Sequence, residues 1–498
     1  MGPVRAAHGR RPTRHGSASR CLPTMPILFK RLAPATAAAS LTLFLAGCAS
    51  FSPDGGMGTV ADLTRERTGQ PVAAQRSAAE ADAAATRRAE ILQQPLTADS
   101  AVELALLNNR GLQASFAQLG IAESALVEAG RLRNPVLSFG RMALGGGAVE
   151  IERSVMFDVL GLLTMPAARQ VQQRHFEQAQ VQAAFDAVGI GADTRRAYFA
   201  AVAAQELVAY FGQVKEAADV SNELAGRMVL AGNFSKLAQM REQAFYADAT
   251  AGLARAQHEA VAARERLTRL LGLSGAQVAF KLPDRLPELP TSPVNPKDAE
   301  QTAIDKRLDV LMARRAAEAT AQSLGLTKAT RFINALELGY QNKSETGEHR
   351  TNGVEVELVV PLFDFGAART RRAEATYLQA VHRTAEVAVN AQSEVREAYS
   401  AYRTAFDLAR HYRDEVVPLR KRISEENLLR YNGMLIGVFE LLADSREQVR
   451  AVTDAVQALR DYWMADANLQ TALTGRSPAG GSAMAPARAA ATNEPAGH

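Results

Sequence analysis

The sequence predicts a mostly α-helical protein that also contributes four strands to a small membrane β-barrel, organised as two tandem halves. Three observations carry that reading. The composition is 47% hydrophobic and 22% charged but only 6% aromatic, the profile of long helices rich in Ala, Gln, Arg and Glu. Residues 231–243, AGNFSKLAQMREQ, match residues 436–448, IGVFELLADSREQ, at seven of thirteen positions, an offset of 205. Four segments of about ten residues alternate apolar and polar side chains, the length of a tilted membrane strand. After residue 48 no run of 18 consecutive apolar residues occurs, so no transmembrane helix is expected.

With 498 residues the chain is long enough for several domains. Its formal charge of +4 is misleading, because seven basic residues (Arg5, Arg10, Arg11, Arg14, Arg20, Lys30, Arg31) and no acidic one precede residue 48. The remainder is mildly acidic, which argues against a nucleic-acid partner. Residues 1–47 read as a signal peptide, with Lys30-Arg31, an apolar run and then small residues; Met25 is an alternative start. Leu45-Ala46-Gly47-Cys48 resembles the bacterial lipobox, which implies cleavage before Cys48 and acylation of its thiol. Ser50, rather than Asp, stands two residues on, and that implies sorting to the outer membrane. Cys21 is upstream of the cleavage point, so the mature chain has no second thiol for a disulfide.

The segment 48–94 and the tail 475–498 are rich in Ala, Gly, Ser and Pro without a lasting period and are expected to be mostly flexible. Between them lie a first repeat, 95–278, and a second, 297–474. They are joined by a linker, 279–296, in which Pro283, Pro287, Pro290, Pro293 and Pro296 enforce an extended strap. Each repeat predicts a helix of about 30 residues (97–133; 296–330), two strands, a very long helix, a glycine-marked corner and another helix. The second long helix, 367–431, would reach about 95 Å at ~1.5 Å per residue. Along it Ala388, Ala391, Val395, Ala398, Tyr402, Ala405, Ala409, Tyr412 and Val416 alternate spacings of three and four, a coiled-coil seam.

The clearest strand is 354–362, where Val354, Val356, Leu358, Val360 and Leu362 alternate with Glu355 and Glu357. In 335–342, Leu336, Leu338 and Tyr340 oppose Glu337, Gly339 and Gln341. In 149–158, Val149, Ile151, Val155 and Phe157 oppose Glu150, Glu152, Ser154 and Asp158, although Arg153 interrupts the apolar face. The fourth, 134–143, has Pro135, Leu137 and Phe139 on one side. With the apolar face in lipid, Glu150, Glu152, Glu337, Glu355 and Glu357 point into an electronegative, cation-preferring lumen. Four strands cannot close a membrane barrel, which needs about eight and tolerates no open edge. The barrel is therefore shared among chains, two giving eight strands and three giving twelve.

Nothing supports catalysis, a cofactor or a metal centre. His175, His258, His349, His382 and His411 are scattered without a partner at ligand spacing. Met142, Met156 and Met165 fall near the first strand pair and read as apolar filling rather than soft metal ligands. Gly145-Gly146-Gly147 is not followed by the Lys-Ser/Thr of a phosphate cradle.

The lipobox, the tandem halves, the strand pairs feeding very long helices and Val-Pro-Leu-Phe-Asp-Phe-Gly at 360–366 together resemble the TolC family of outer-membrane efflux channels. The resemblance covers about 97–474. It implies a homotrimer whose twelve strands form a barrel in the outer membrane of a Gram-negative bacterium and whose helices continue as a hollow α-barrel across the periplasm. It implies partnership with a periplasmic adaptor protein and an inner-membrane pump. Pro361 and Gly366 match the strand-to-helix corner, while the first repeat departs there with six extra residues in VLGLLTMP before Ala167. Gly232, Gly433 and Gly437 match the periplasmic helix tips. Glu440 matches an aperture acid, and Asp444 stands nearest a second. The sequence leaves open a drug pump, a metal-ion pump or a type I protein-secretion duct. A structural coiled-coil lipoprotein tethering the outer membrane is the alternative, but a tether has no use for the strands.

Overall fold

The computed structural model of the chain describes residues 50–476 except 144, 334, 361 and 362, and not the side chains of 438, 439 and 442. The signal peptide, Cys48, Pro361 and the tail beyond 476 lie outside the described residues. Helices α1 (Met57–Thr68) and α2 (Ala78–Leu92) precede the first repeat. That repeat holds α3 (Ala98–Asn108), α4 (Arg110–Ala129), β1 (Val136–Ala143), β2 (Val149–Asp158), α5 (Val159–Leu230) and α6 (Lys236–Leu271). The second holds α7 (Ala299–Lys306), α8 (Leu308–Ala329), β3 (Ala335–Glu345), β4 (Thr351–Val359), α9 (Ala367–His411), α10 (Val417–Asn432) and α11 (Val438–Thr474). The two orders correspond, except that α9 and α10 together stand where α5 runs unbroken. Among the described residues no helix is long and apolar enough to cross a membrane.

Several expectations are corrected. The segment before residue 94 is not mostly flexible, because two helices form in it. Ser77 and Glu80 make a reciprocal capping box at the start of α2, and Val60 and Val72 pack with Leu106, Phe116 and Phe176. Their apolar faces are short and alanine-rich, so they show little period of their own and gain stability from α3, α4 and α5. Each helix expected to run for about 30 residues is broken by one extended residue, Asn109 or Arg307. Asn109 caps α4 by accepting from Leu112 N at 3.0 Å and donates to Leu270 O at 2.9 Å, tying the break to the end of α6. Arg307 is 1% exposed and donates to Asp309 and, at 2.8 Å, to Glu394 of α9.

Helix α5 is 72 residues long, about 110 Å at ~1.5 Å per residue. It packs against α6 and also against α8 and α11 of the other repeat, so the repeats interlock. Phe199 stacks on Trp463 at 5.2 Å across that junction. In α9 the buried seam is Ala391, Val395, Ala398, Tyr402, Phe406 and Ala409. Phe406 replaces the expected Ala405, as the 3.6-residue turn drifts from a strict 3.5 period. Tyr412 and Val416 bound a π-helical turn between α9 and α10, an inserted residue that apolar spacing does not reveal. The linker, 279–296, carries no helix or strand. It buries Phe280, Leu282, Leu286 and Leu289 and is fastened by Trp463 Nε1 donating to Pro287 O and by Val294 N donating to Tyr402 Oη.

All four strands form one antiparallel sheet in the order β1-β2-β3-β4. At its helical end β2 passes straight into α5. Asp158 caps that helix by accepting from Gly161 N at 2.6 Å, so VLGLLTMP begins the helix and Pro166 sits within it. The second repeat turns the corner through Gly366, whose φ is +69°. A Cβ there would stand 2.5 Å from the Arg331 carbonyl oxygen. Gly366→Ala is therefore expected to cost on the order of 2 kcal/mol or more. In a thermal melt of the purified protein it should lower the midpoint by several degrees, whereas Gly325→Ala, with open space at its Cβ inside α8, should not lower it.

Candidate functional site

The register of the sheet decides which side chains share a face, since directly opposed residues point the same way. Glu152 opposes Gly140 and Lys343, and Glu150 opposes Met142 and Glu345. Glu337 opposes both Asp158 and Glu357, while Gly339 opposes Met156 and Glu355. Glu150, Glu152, Glu337, Glu355 and Glu357 thus lie on one face. The other carries Leu137, Phe139, Val155, Phe157, Leu338, Tyr340, Val354 and Val356, most of them exposed in the single chain.

Two residues of the acidic face, Glu345 and Lys343, escaped the sequence reading, and Asp158 was read on that face but not among the lumen acids. Asp158 and Glu345 add carboxylates, and Lys343 subtracts one by pairing with Glu150 at 2.6 Å. β3 extends to Glu345, beyond the expected end at 342, because the polar run from Gln341 shows no alternation. Gln341 donates to Glu152 across the β2–β3 pair. The strand-end Asp158 also receives Arg133 at 3.2 Å. Among the described residues the outer sides of β1 and β4 have no strand partner.

At the far end of the long helices are two tight turns. Gly232, between α5 and α6, adopts φ +77°, and Ser235 then caps α6 by accepting from Ala238 N at 3.1 Å. The second turn, 433–437, is built differently. Gly433 and Gly437 have ordinary φ of −79° and −82°, and Met434 takes the left-handed conformation at +61°. Leu230, Met434 and Leu435 are exposed at these turns. Glu440 is exposed in the first turn of α11, where the helix N-terminus favours a carboxylate. Asp444 is only 8% exposed, with Oδ2 lacking a hydrogen-bond partner among the described residues. The two acids therefore do not form an exposed pair within the chain.

One turn further, an ion pair joins the repeats. Glu242 of α6 is 1% exposed, accepts from Ser221 Oγ at 2.9 Å and pairs with Arg446 of α11 at 3.4 Å. Arg446 also donates to Arg241 O at 3.3 Å and lies 4.7 Å from the centre of the Phe245 ring. Arg241 and Arg446 hold matching places in the sequence repeat, 205 residues apart, which is the signal that could have found this junction. The described residues include no group of three or more His, Cys, Asp or Glu placed to hold a metal ion.

Near the start of the described chain, Ser52 donates through N and Oγ to Glu123 Oε1 at 2.6 and 2.5 Å. Glu123 is buried on α4. Asp54 accepts from Gly58 N and Gly56 N at 2.8 and 3.1 Å, which holds its carboxyl below the usual range. Ser52 is thereby fixed to the helical body.

No protein-family model and no curated protein matches the sequence. Solved structures do. The outer-membrane channel OprN matches at TM-score 0.65 and 20% identity over 78% of this chain and 92% of its own. The outer membrane protein VceC from Vibrio cholerae matches at 0.63 and 16%, over 76% and 96%. The open state of the MtrE outer membrane channel from Neisseria gonorrhoeae matches at 0.63 and 16%, over 75% and 88%.

Removing Arg446 leaves Glu242 buried with Ser221 alone. Arg446→Ala is expected to destabilise the helical tip by about 1–3 kcal/mol, the cost of an unpaired buried acceptor reduced by the partial exposure of the arginine. Limited proteolysis should then cut faster around 230–236 and 432–438 than in the parent, and Glu242→Gln/Arg446→Ala should recover part of the loss. Taken with the geometry of sheet and helices, the likenesses give the chain the fold of outer-membrane channels, the fold that its resemblance to the TolC family implied.

Proposed function

We propose that the chain is the outer-membrane channel of a tripartite efflux system, a passive duct formed by three copies and anchored through lipid on Cys48. The observation that carries this reading is the four-stranded sheet, segregated into an acidic and an apolar face and ending in two unpaired edges. An open edge is not tolerated in hydrocarbon, so each β4 pairs with the β1 of a neighbouring copy. Three copies make twelve strands, a lumen wide enough for cargo, and long helices that carry the duct away from the membrane. The trimer matches what the sequence resemblance implies, and OprN and MtrE are themselves described as outer-membrane channels.

In this arrangement the apolar face meets lipid and the acids line the pore. The carboxylates outnumber Lys343, so the pore concentrates cations and repels anions. The preference weakens as the Debye length falls from ~10 Å at 0.1 M salt to ~3 Å at 1 M. Glu440 rings the periplasmic aperture, where three carboxylates offer a site that a multivalent cation bridges and blocks. Leu230, Met434 and Leu435 give the tip an apolar surface suited to a periplasmic adaptor, which links the duct to an inner-membrane pump. The pump, not the duct, selects the cargo. The exposed, alternating strands favour this reading over a tethering lipoprotein.

Native mass spectrometry in detergent should give a trimer carrying diacylglycerol on Cys48, and a stable monomer would contradict the shared barrel. In planar bilayers under a salt gradient, the reversal potential should report cation preference that shrinks toward 1 M salt. Glu440→Ala should relieve block by trivalent cations while leaving the strand-derived preference in place. Anion preference in the parent would overturn the inward assignment of the strand glutamates.

A further inference from the structure

Arg153 breaks the apolar face of β2 for a reason the sheet makes visible. Its Nη1 donates to Asn342 Oδ1 at 3.0 Å, and Asn342 Nδ2 donates to Asn352 Oδ1 at 2.6 Å. A polar rung therefore crosses three strands on the side that is otherwise apolar. Arg141, which opposes Ile151, stands on the same face one row nearer the hairpin loops. By the same register no Asp or Glu falls on that face, and neither arginine has an acidic partner among the described residues. Both side chains are exposed. The strand acids all occupy the opposite face, so the apolar side bears charge of one sign only, and only at its loop end.

The height of the rung agrees with that chemistry. Exposed Leu162, Leu163, Phe332, Phe363 and Phe365 mark the apolar band at the strand-to-helix corners. From Ala335, the first residue of β3, to Asn342 the strand advances seven residues, which at ~3.3 Å each and a tilt of ~40° is about 18 Å along the membrane normal; with the exposed corner residues before that start, the rung stands toward the upper limit of the ~25 Å apolar belt of an outer-membrane barrel. Arg153 then sits where the hydrocarbon gives way to headgroups. A guanidinium is costly at the midplane of a bilayer and nearly free at its interface. The diagonal neighbours Arg141 and Arg153 are about 7–8 Å apart at their backbones, close enough for two planar forks to grip one phosphate group or bridge two.

We propose that Arg141 and Arg153 form a binding site for the phosphate of an anionic lipid at the loop-end rim of the barrel, with Asn342 and Asn352 holding Arg153 in position. The inference rests on the reading of the sheet as the wall of a membrane barrel. Its test reconstitutes the full protein in nanodiscs of equal phosphatidylglycerol and phosphatidylcholine and counts the lipids retained by native mass spectrometry. The parent should retain phosphatidylglycerol preferentially, and the preference should fall about fivefold for each arginine removed in Arg141→Gln, Arg153→Gln and their double variant. Arg141→Lys/Arg153→Lys should keep more of the preference than the glutamine pair. Lys343→Gln, on the acidic face, should leave it unchanged. If the double variant does not insert, the single variants carry the same expectation. A parent that conducts ions but retains both lipids equally overturns the site alone, as does an unchanged preference in the glutamine variants. A parent that forms no conducting species overturns the barrel reading beneath it.

Discussion

Backbone N–H and C=O groups need partners wherever water is absent, and the outer sides of β1 and β4 have none among the described residues of this chain. That constraint organises the rest of the proposed design. A sheet of four strands has too few residues to close, and its apolar face would be exposed to water if the chain stood alone. Association of copies edge to edge satisfies the backbone, and lipid covers the apolar face. The long helices then have a duty that no globular core would give them. In the proposed trimer helix α5, at about 110 Å, would continue the wall of the duct. The alanine-rich seams let neighbouring helices approach closely enough to keep that wall thin.

Strand register converts this demand into electrostatics. Because side chains alternate with a period of two, the residues that satisfy lipid on one face leave every other position free, and here those positions are largely carboxylates. The acidic face and the arginine-bearing rim are two results of one alternation. Lys343 moderates the first by pairing with Glu150. Arg153, drawn into a ladder with Asn342 and Asn352, marks the height at which the second begins. At the opposite end of the molecule the two repeats meet through Arg446 and Glu242, so the turns near Glu440 are braced between α6 and α11.

Much of this was legible in the sequence wherever a period was sustained. Alternation in 149–158 and 354–362 placed the glutamates on one face, and the match between 231–243 and 436–448 located both helical tips. What escaped was local or distant. A single extended residue, Asn109 or Arg307, breaks a helix without disturbing its apolar pattern. The glycines did not reveal that the left-handed residue at the end of α10 is Met434, between Gly433 and Gly437, since helices commonly end on one such residue and it need not be glycine. α1 and α2 were missed since their burial depends on partners far along the chain, yet the Ser77–Glu80 capping box was a readable start signal. Glu345 and Lys343 lay past the point where alternation stops.

In the proposed barrel the two faces of the sheet meet different solvents, and the neighbouring residues Glu355 and Val356 of β4 examine that directly. Glu355→Cys and Val356→Cys, each carrying a nitroxide label in protein reconstituted into vesicles, should differ in electron paramagnetic resonance accessibility. The label at 355 should be relaxed by a water-soluble nickel complex, and the label at 356 by oxygen dissolved in the bilayer. Equal exposure of both to the nickel complex, or the reverse order, would contradict a lipid-facing apolar side and an aqueous acidic one.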